Sequence, residues 1–199
     1  MKYAFNIWPY TSFPVWTPAY PMEETIKRLS GIGYDGMEIG CAAPHAWPYY
    51  LDERRRKEIK ELLDRHKIKA SSMLPAPGGG PGVNPASATI EERKWTVQHY
   101  KDVIDLAVDF GCPTVLYLAG WYMFGTRQKE AWKYSLESLG EIAEYAQAKS
   151  IALMIEPQAA DSNLVESAAD ALMMMEESGL SNVKVMFDIF HVLYRNEVP

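Results

Sequence analysis

Hydrophobic and polar positions along the chain follow two rhythms in alternation. Short, nearly continuous apolar runs predict buried strands over residues 2–8, 34–40, 68–74, 114–119, 151–155 and 183–187. Between them, apolar positions return at helical spacing. A helix is expected over 22–30, stopped by Gly31-Ile-Gly33, and a charged one from about 51 to 67. In the second, Ile59, Leu62 and Leu63 mark the buried face and the cluster Arg54 to Lys57 the solvated one. Thr89-Ile-Glu-Glu92 has capping-box spacing and opens a helix that runs to Phe110. Another spans 126–149, and one more joins the last two strands.

Strand then helix at roughly thirty- to forty-residue spacing predicts an α/β fold with parallel strands. The segments rich in Trp, Tyr, His or Gly, at 9–21, 42–48, 75–82 and 120–125, all follow strands rather than helices. That asymmetry favours a (β/α)8 TIM barrel, whose sites are built from the loops at one face. A doubly wound sheet is the alternative, but its nucleotide fingerprint is absent after the first strand. The glycine tract at 75–82 lacks the Lys-Ser/Thr ending of a phosphate loop and fits a lid better than a phosphate cradle. Only strands 1–6 of the expected eight are present. We therefore expect residues 1–199 to form a single barrel domain, incomplete at its C-terminus, with an open edge at strand six.

Composition narrows the partners. A net charge of −6 and pI near 5.3 argue against nucleic-acid binding, which needs basic stripes. Cys41 and Cys112 lie beside predicted strands, as reduced core thiols rather than a disulfide, which favours the cytoplasm. Neither an export leader nor an apolar run of membrane-spanning length is visible.

The candidate chemistry lies near the end. The strands 151–155 and 183–187 are each followed by an acid, Glu156 and Asp188 respectively. Consecutive strands of a βαβ unit are parallel and usually adjacent, so the two carboxylates are expected above one spot. His191, three residues past Asp188, can lean over it. Two carboxylates and an imidazole suit Mn²⁺, Mg²⁺ or Co²⁺. The bland reading is that acids end strands because the chain is leaving the core for water.

With Gly33-Tyr-Asp-Gly-Met-Glu-Ile-Gly40 and Pro44-His45, Glu144-Tyr-Ala146, Ile155-Glu-Pro157, Asp161-Ser-Asn163 and Phe187-Asp-Ile-Phe-His191, the chain resembles the sugar phosphate isomerase/epimerase family of xylose isomerase-like TIM barrels, and within it the fructoselysine and D-tagatose 3-epimerases. The resemblance implies that Glu156 is both metal ligand and acid/base group, that Asp188 is a second ligand, and that His191 sits beside the substrate. It implies a further metal histidine near strand seven and a second catalytic glutamate near strand eight, neither of which has a position here. Asp161 is the nearest equivalent of a substrate-contacting glutamate that follows the strand-five acid. Homo-oligomers are expected by the same analogy.

The chemistry implied is that of a metal-dependent ketose epimerase or isomerase. A ketose C3 proton is too weakly acidic for an ordinary carboxylate unless a divalent cation stabilises the developing enediolate. Trp8, His45, Trp47 and Trp121 can wall the sugar or simply pack, and Glu38 fits either substrate contact or support of the groups that make it. His66 and His99 lie inside helices, as surface or packing residues. The rivals are an inosose dehydratase-like lyase, a metal-dependent endonuclease, disfavoured by only 4 histidines and net acidity, and a non-catalytic binding remnant.

Overall fold

The computed structural model describes residues 1–11, 18–75 and 83–197. Strands and helices alternate as β1 (Ala4–Asn6), α1 (Met22–Ile32), β2 (Gly36–Gly40), α2 (Glu53–His66), β3 (Lys69–Leu74), α3 (Ile90–Phe110), β4 (Thr114–Tyr117), α4 (Gln128–Ala148), β5 (Ala152–Ile155), α5 (Ala168–Ser178), β6 (Val183–Val185) and α6 (Ile189–Tyr194). The strands form one sheet in the order β1-β2-β3-β4-β5-β6, with parallel pairing. Sequential order is barrel connectivity, whereas a doubly wound sheet reverses its order at a switch point. The α/β reading and the order of the elements therefore hold. The glycine tract, apart from Pro75, and much of the aromatic loop after β1 lie outside the described residues.

Several elements end sooner than hydrophobicity alone suggests. Pairing in the first strand stops at Asn6, because Trp8–Tyr10 turns into a 3-10 helix with proline in its first turn. A proline there loses no hydrogen bond and its φ suits the turn. The sixth strand stops at Val185, and Asp188 caps α6 instead of ending a strand. Helix α1 runs through Gly31 and ends at Gly33, whose φ of 102° closes the last turn onto Leu29 and Ser30. Asp52 caps α2 by accepting from the Arg55 amide at 2.7 Å. Not all of the cluster expected to be solvated is so. Arg55 reaches Glu23 of α1 at 2.5 Å and Arg56 reaches Asp109 of α3 at 3.1 Å. Half-exposed pairs of this kind add at most about 1 kcal/mol each and serve mainly to align helices.

The chain divides into two compact units, Met1–Pro75 with Asp102–Val115, and Ala76–Lys101 with Leu116–Pro199. In the first, Ile26, Leu29 and Ile59 of the helices and Met37, Ile39 and Met73 of the strands are all fully buried. Cys41 and Cys112 are buried here as free thiols, and burial pushes Cys112 up to about 12. In the second unit Tyr100 and Tyr117 tilt against one another at 5.5 Å. The Tyr117 hydroxyl donates to the Ser135 carbonyl at 2.8 Å, and the Tyr100 hydroxyl accepts from the Leu118 amide at 3.0 Å. Burial therefore leaves neither phenol unpaired, which is the condition for a tolerable polar core. No described helix is long and apolar enough to cross a membrane.

Candidate metal centre

Glu156 stands one residue beyond β5 and is 7% exposed. Its amide donates to the Tyr117 carbonyl of β4 at 3.2 Å, so the backbone carrying the carboxylate is still held by the neighbouring strand. The end of β6 comes alongside through the Met186 amide, which donates to the Ile155 carbonyl at 3.0 Å. Beyond it Asp188 is half-buried and accepts from the Phe190 amide at 2.8 Å, starting α6. An i,i+3 step then brings His191 round to the same side as its cap. One donor atom from each of Glu156, Asp188 and His191 lies within 4.8 Å of the others.

This trio fits a divalent cation on three counts. Its donor set is oxygen, oxygen and imidazole nitrogen, which suits hard or borderline ions. Two carboxylates this close repel each other, and a cation between them relieves the repulsion. His191 is 7% exposed, and its Nδ1 is buried with no hydrogen-bond partner among the described residues. An unpaired buried nitrogen costs about 1–3 kcal/mol, a penalty that ligation or a substrate hydroxyl removes.

The sequence reading passed over Gln158. Its Nε2 donates to Glu156 Oε2 at 3.1 Å, and the residue is 8% exposed. The available signal was the extended backbone that Pro157 enforces on Glu156, which places residues 156 and 158 on the same side of the chain. Asp161, expected at the substrate, is exposed and stands outside the clustered trio. Its amide donates to the Gln158 carbonyl at 3.0 Å.

The loop after β5 is strapped to the loop after β4. Ser162 donates its hydroxyl to the Gly120 carbonyl at 2.6 Å, and Asn163 exchanges two hydrogen bonds with the backbone of Tyr122. Trp121, half-buried, is held by its backbone between the two ends of the Asn84 amide, at 2.9 and 3.2 Å. Gly120 makes this possible. Its φ is +85°, and a Cβ there would stand 2.2 Å from Asn84 Oδ1.

Glu38, Trp8 and His45 belong to the other unit. Glu38 accepts from Asn6 Nδ2 at 2.6 Å and from Ser72 Oγ at 2.5 Å, forming a polar row across β1, β2 and β3. A register shift between Met37 and Glu38 skips Ser71 and sets Ser72 opposite Glu38. Trp8 lies against Gly40, where a Cβ would come within 2.6 Å of its ring. His45 is 3% exposed, with Nε2 2.7 Å from the Tyr20 carbonyl and Nδ1 buried without a partner among the described residues. Of the predicted helical histidines, His99 is fully buried and stacks on Trp95 at 5.3 Å, while His66 is half-buried at the end of α2.

Comparison with known proteins adds a frame. A family model, the xylose isomerase-like TIM barrel, matches residues 26–199. Fructoselysine 3-epimerase of Shigella flexneri is 29% identical over 153 residues, covering 76% of this chain and 55% of its own length. The chain thus spans about half the length of the curated relatives it matches. Among solved structures, D-psicose 3-epimerase in the presence of D-fructose superposes with a TM-score of 0.81 at 16% identity, over 100% of this chain and 67% of that one. IOLI protein with a binding zinc atom superposes with a TM-score of 0.75 at 17% identity, over 100% and 66%.

Proposed function

The chain belongs to the xylose isomerase-like TIM barrel family, and from that membership we propose that it is a metal-dependent sugar epimerase or isomerase that removes the proton beside a ketose carbonyl. The observation that carries this reading is the convergence of Glu156, Asp188 and His191 within 4.8 Å at the ends of β5 and β6. The likeness to sugar epimerases supports the substrate class.

Glu156 and Asp188 would hold the ion, and His191 offers its nitrogen to the ion or to a sugar hydroxyl beside it. A bound Mn²⁺, Co²⁺ or Mg²⁺ supplies Lewis acidity that stabilises the negative charge of an enediolate. Glu156 takes the C3 proton. Its burial leaves the carboxylate weakly solvated and so a stronger base. Epimerisation then needs an acid on the opposite face of C3, and isomerisation needs the proton returned to the neighbouring carbon. Exchange of the C3 hydrogen with solvent requires the ion and this base but no second acid.

That difference selects the test. The protein is incubated in D₂O with Mn²⁺ or Co²⁺ and a panel of D-fructose, D-psicose, D-tagatose, D-ribulose and fructoselysine, and deuterium uptake is read by mass spectrometry. We expect uptake at C3 of at least one ketose, lost in Glu156→Gln. Absence of uptake from every ketose, in a protein that binds the ion, would overturn the reading. A dehydrated product in the same tubes would instead indicate a lyase of the inosose dehydratase type, which shares the first step and then expels hydroxide.

A further inference from the structure

Gln158 donates a hydrogen bond from its neutral side chain to the candidate base. We infer that it is a positioning residue, which fixes the carboxylate of Glu156 in the orientation a cation needs. The inference rests on the reading of Glu156, Asp188 and His191 as a cation site, and it extends that reading to a residue beyond the clustered ligands.

Three observations carry it. First, Nε2 of Gln158 stands 3.1 Å from Oε2 of Glu156, and both residues are less than a tenth exposed. A hydrogen bond to an ionised acceptor in a site with so little water is among the stronger kinds. The ionised carboxylate only accepts, so the amide must present its NH₂ and not its oxygen, which sets the rotamer of Gln158 as well. Second, the backbone of Gln158 is pinned on both sides. Its amide donates to the Val165 carbonyl at 3.0 Å, and its carbonyl accepts from the amides of Asp161 at 3.0 Å and Ser162 at 2.8 Å. The donor is thus mounted on a closed turn. Third, that turn is itself tied down, through Ser162 to Gly120 and through Asn163 to Tyr122.

The choice of side chain is chemically pointed. A lysine or arginine at 158 would grip Glu156 more tightly, but its positive charge would oppose a divalent cation at the same carboxylate. A second carboxylate would compete with Glu156 for the ion or share a proton with it. A glutamine amide holds one oxygen in place and leaves the full negative charge available. Support of this kind around metal ligands typically governs affinity by about 10–100-fold.

The experiment is Mn²⁺ titration by calorimetry of the wild-type protein, Gln158→Met, which keeps the length but lacks the donor, and Gln158→His, which restores an N–H. Gln158→Met should bind Mn²⁺ about 10–100-fold more weakly while the metal-free protein still folds, as circular dichroism reads. Gln158→His should recover part of the loss, which a purely structural role for residue 158 does not predict. If Gln158→Met does not fold, Gln158→Ala serves with the same expectation. Mn²⁺ binding by the donorless variant as tight as that of wild type overturns the inference while the cation site stands. No Mn²⁺ binding by wild type overturns the cation site itself, and the inference with it.

Discussion

Asn163 clamps Tyr122 by its backbone at both polar ends, accepting from the Tyr122 amide at 2.9 Å and donating to its carbonyl at 3.0 Å. A side-chain amide that pairs twice with one residue behaves like a short stretch of strand, so the loops after β4 and β5 are joined without being in the sheet. The clamp is exposed, and each bond should contribute only about 0.5–1.5 kcal/mol. Asn163→Ala is expected to change global unfolding by no more than about 1–3 kcal/mol. It should sharply accelerate hydrogen exchange at the Tyr122 amide, read by NMR or mass spectrometry. Undiminished protection there would show that the loop is held by other contacts.

Gly120 is a stricter position. At φ +85° an L side chain is strained, and its Cβ would meet the Asn84 oxygen that accepts from Trp121 and Ala86. Gly120→Ala should therefore cost about 1–3 kcal/mol for backbone strain alone, and more for displacing Asn84. Chemical denaturation of the variant measures this, and a loss below about 0.5 kcal/mol would contradict the packing.

The row of Asn6, Glu38 and Ser72 is a test of charge solvation by neutral donors. Ser72→Ala removes one short bond to a half-buried carboxylate and should destabilise the protein by about 1.5–3 kcal/mol, the range for hydrogen bonds to charged groups. Glu38→Gln, which keeps the shape but loses the charge, should cost less than Glu38→Leu, which strands two donors. Urea unfolding of the three variants reads the order directly.

His45 supplies a pH dependence with a definite sign. Burial holds its imidazole below the ordinary value of 6.5, against the opposing pull of the Tyr20 carbonyl and the Glu23 charge. The unfolded chain then binds a proton that the folded chain does not, so stability is full above about pH 6.5 and declines as pH falls through the window below it. His45→Gln can retain a donor to the Tyr20 carbonyl and has no proton to gain. The difference in unfolding free energy between pH 7.5 and 5.5 should be smaller in the variant than in wild type, and an equal difference would assign the titration elsewhere.

Much of this protein was legible before any coordinates. Alternation of apolar runs and helical stretches depends on local burial, which hydrophobic periodicity records directly, so the order and type of the strands and helices as far as β6 followed. Glu156 could be picked out because a carboxylate placed straight after a fully apolar run is conspicuous, and Asp188 and His191 because only three residues separate them, although the helix α6 that joins them was not foreseen. Boundaries were less visible. Trp8 and Phe187 belong to apolar runs, yet pairing ends at Asn6 and Val185, since strand length is set by the neighbour's backbone and not by a residue's own hydrophobicity.

The sequence alone thus determined the α/β alternation and which acids follow strands, because those properties belong to contiguous residues. Tertiary structure decided which side chains meet. The skipped Ser71 puts Ser72 beside Glu38, a closed turn aims Gln158 at Glu156 while Asp161 faces outward, and a left-handed glycine admits Asn84. The first and last depend on backbone positions fixed by partners far away in the chain, to within a fraction of a hydrogen-bond length, which no pattern of neighbouring residues carries; for Gln158 only Pro157 beside Glu156 gave a local signal.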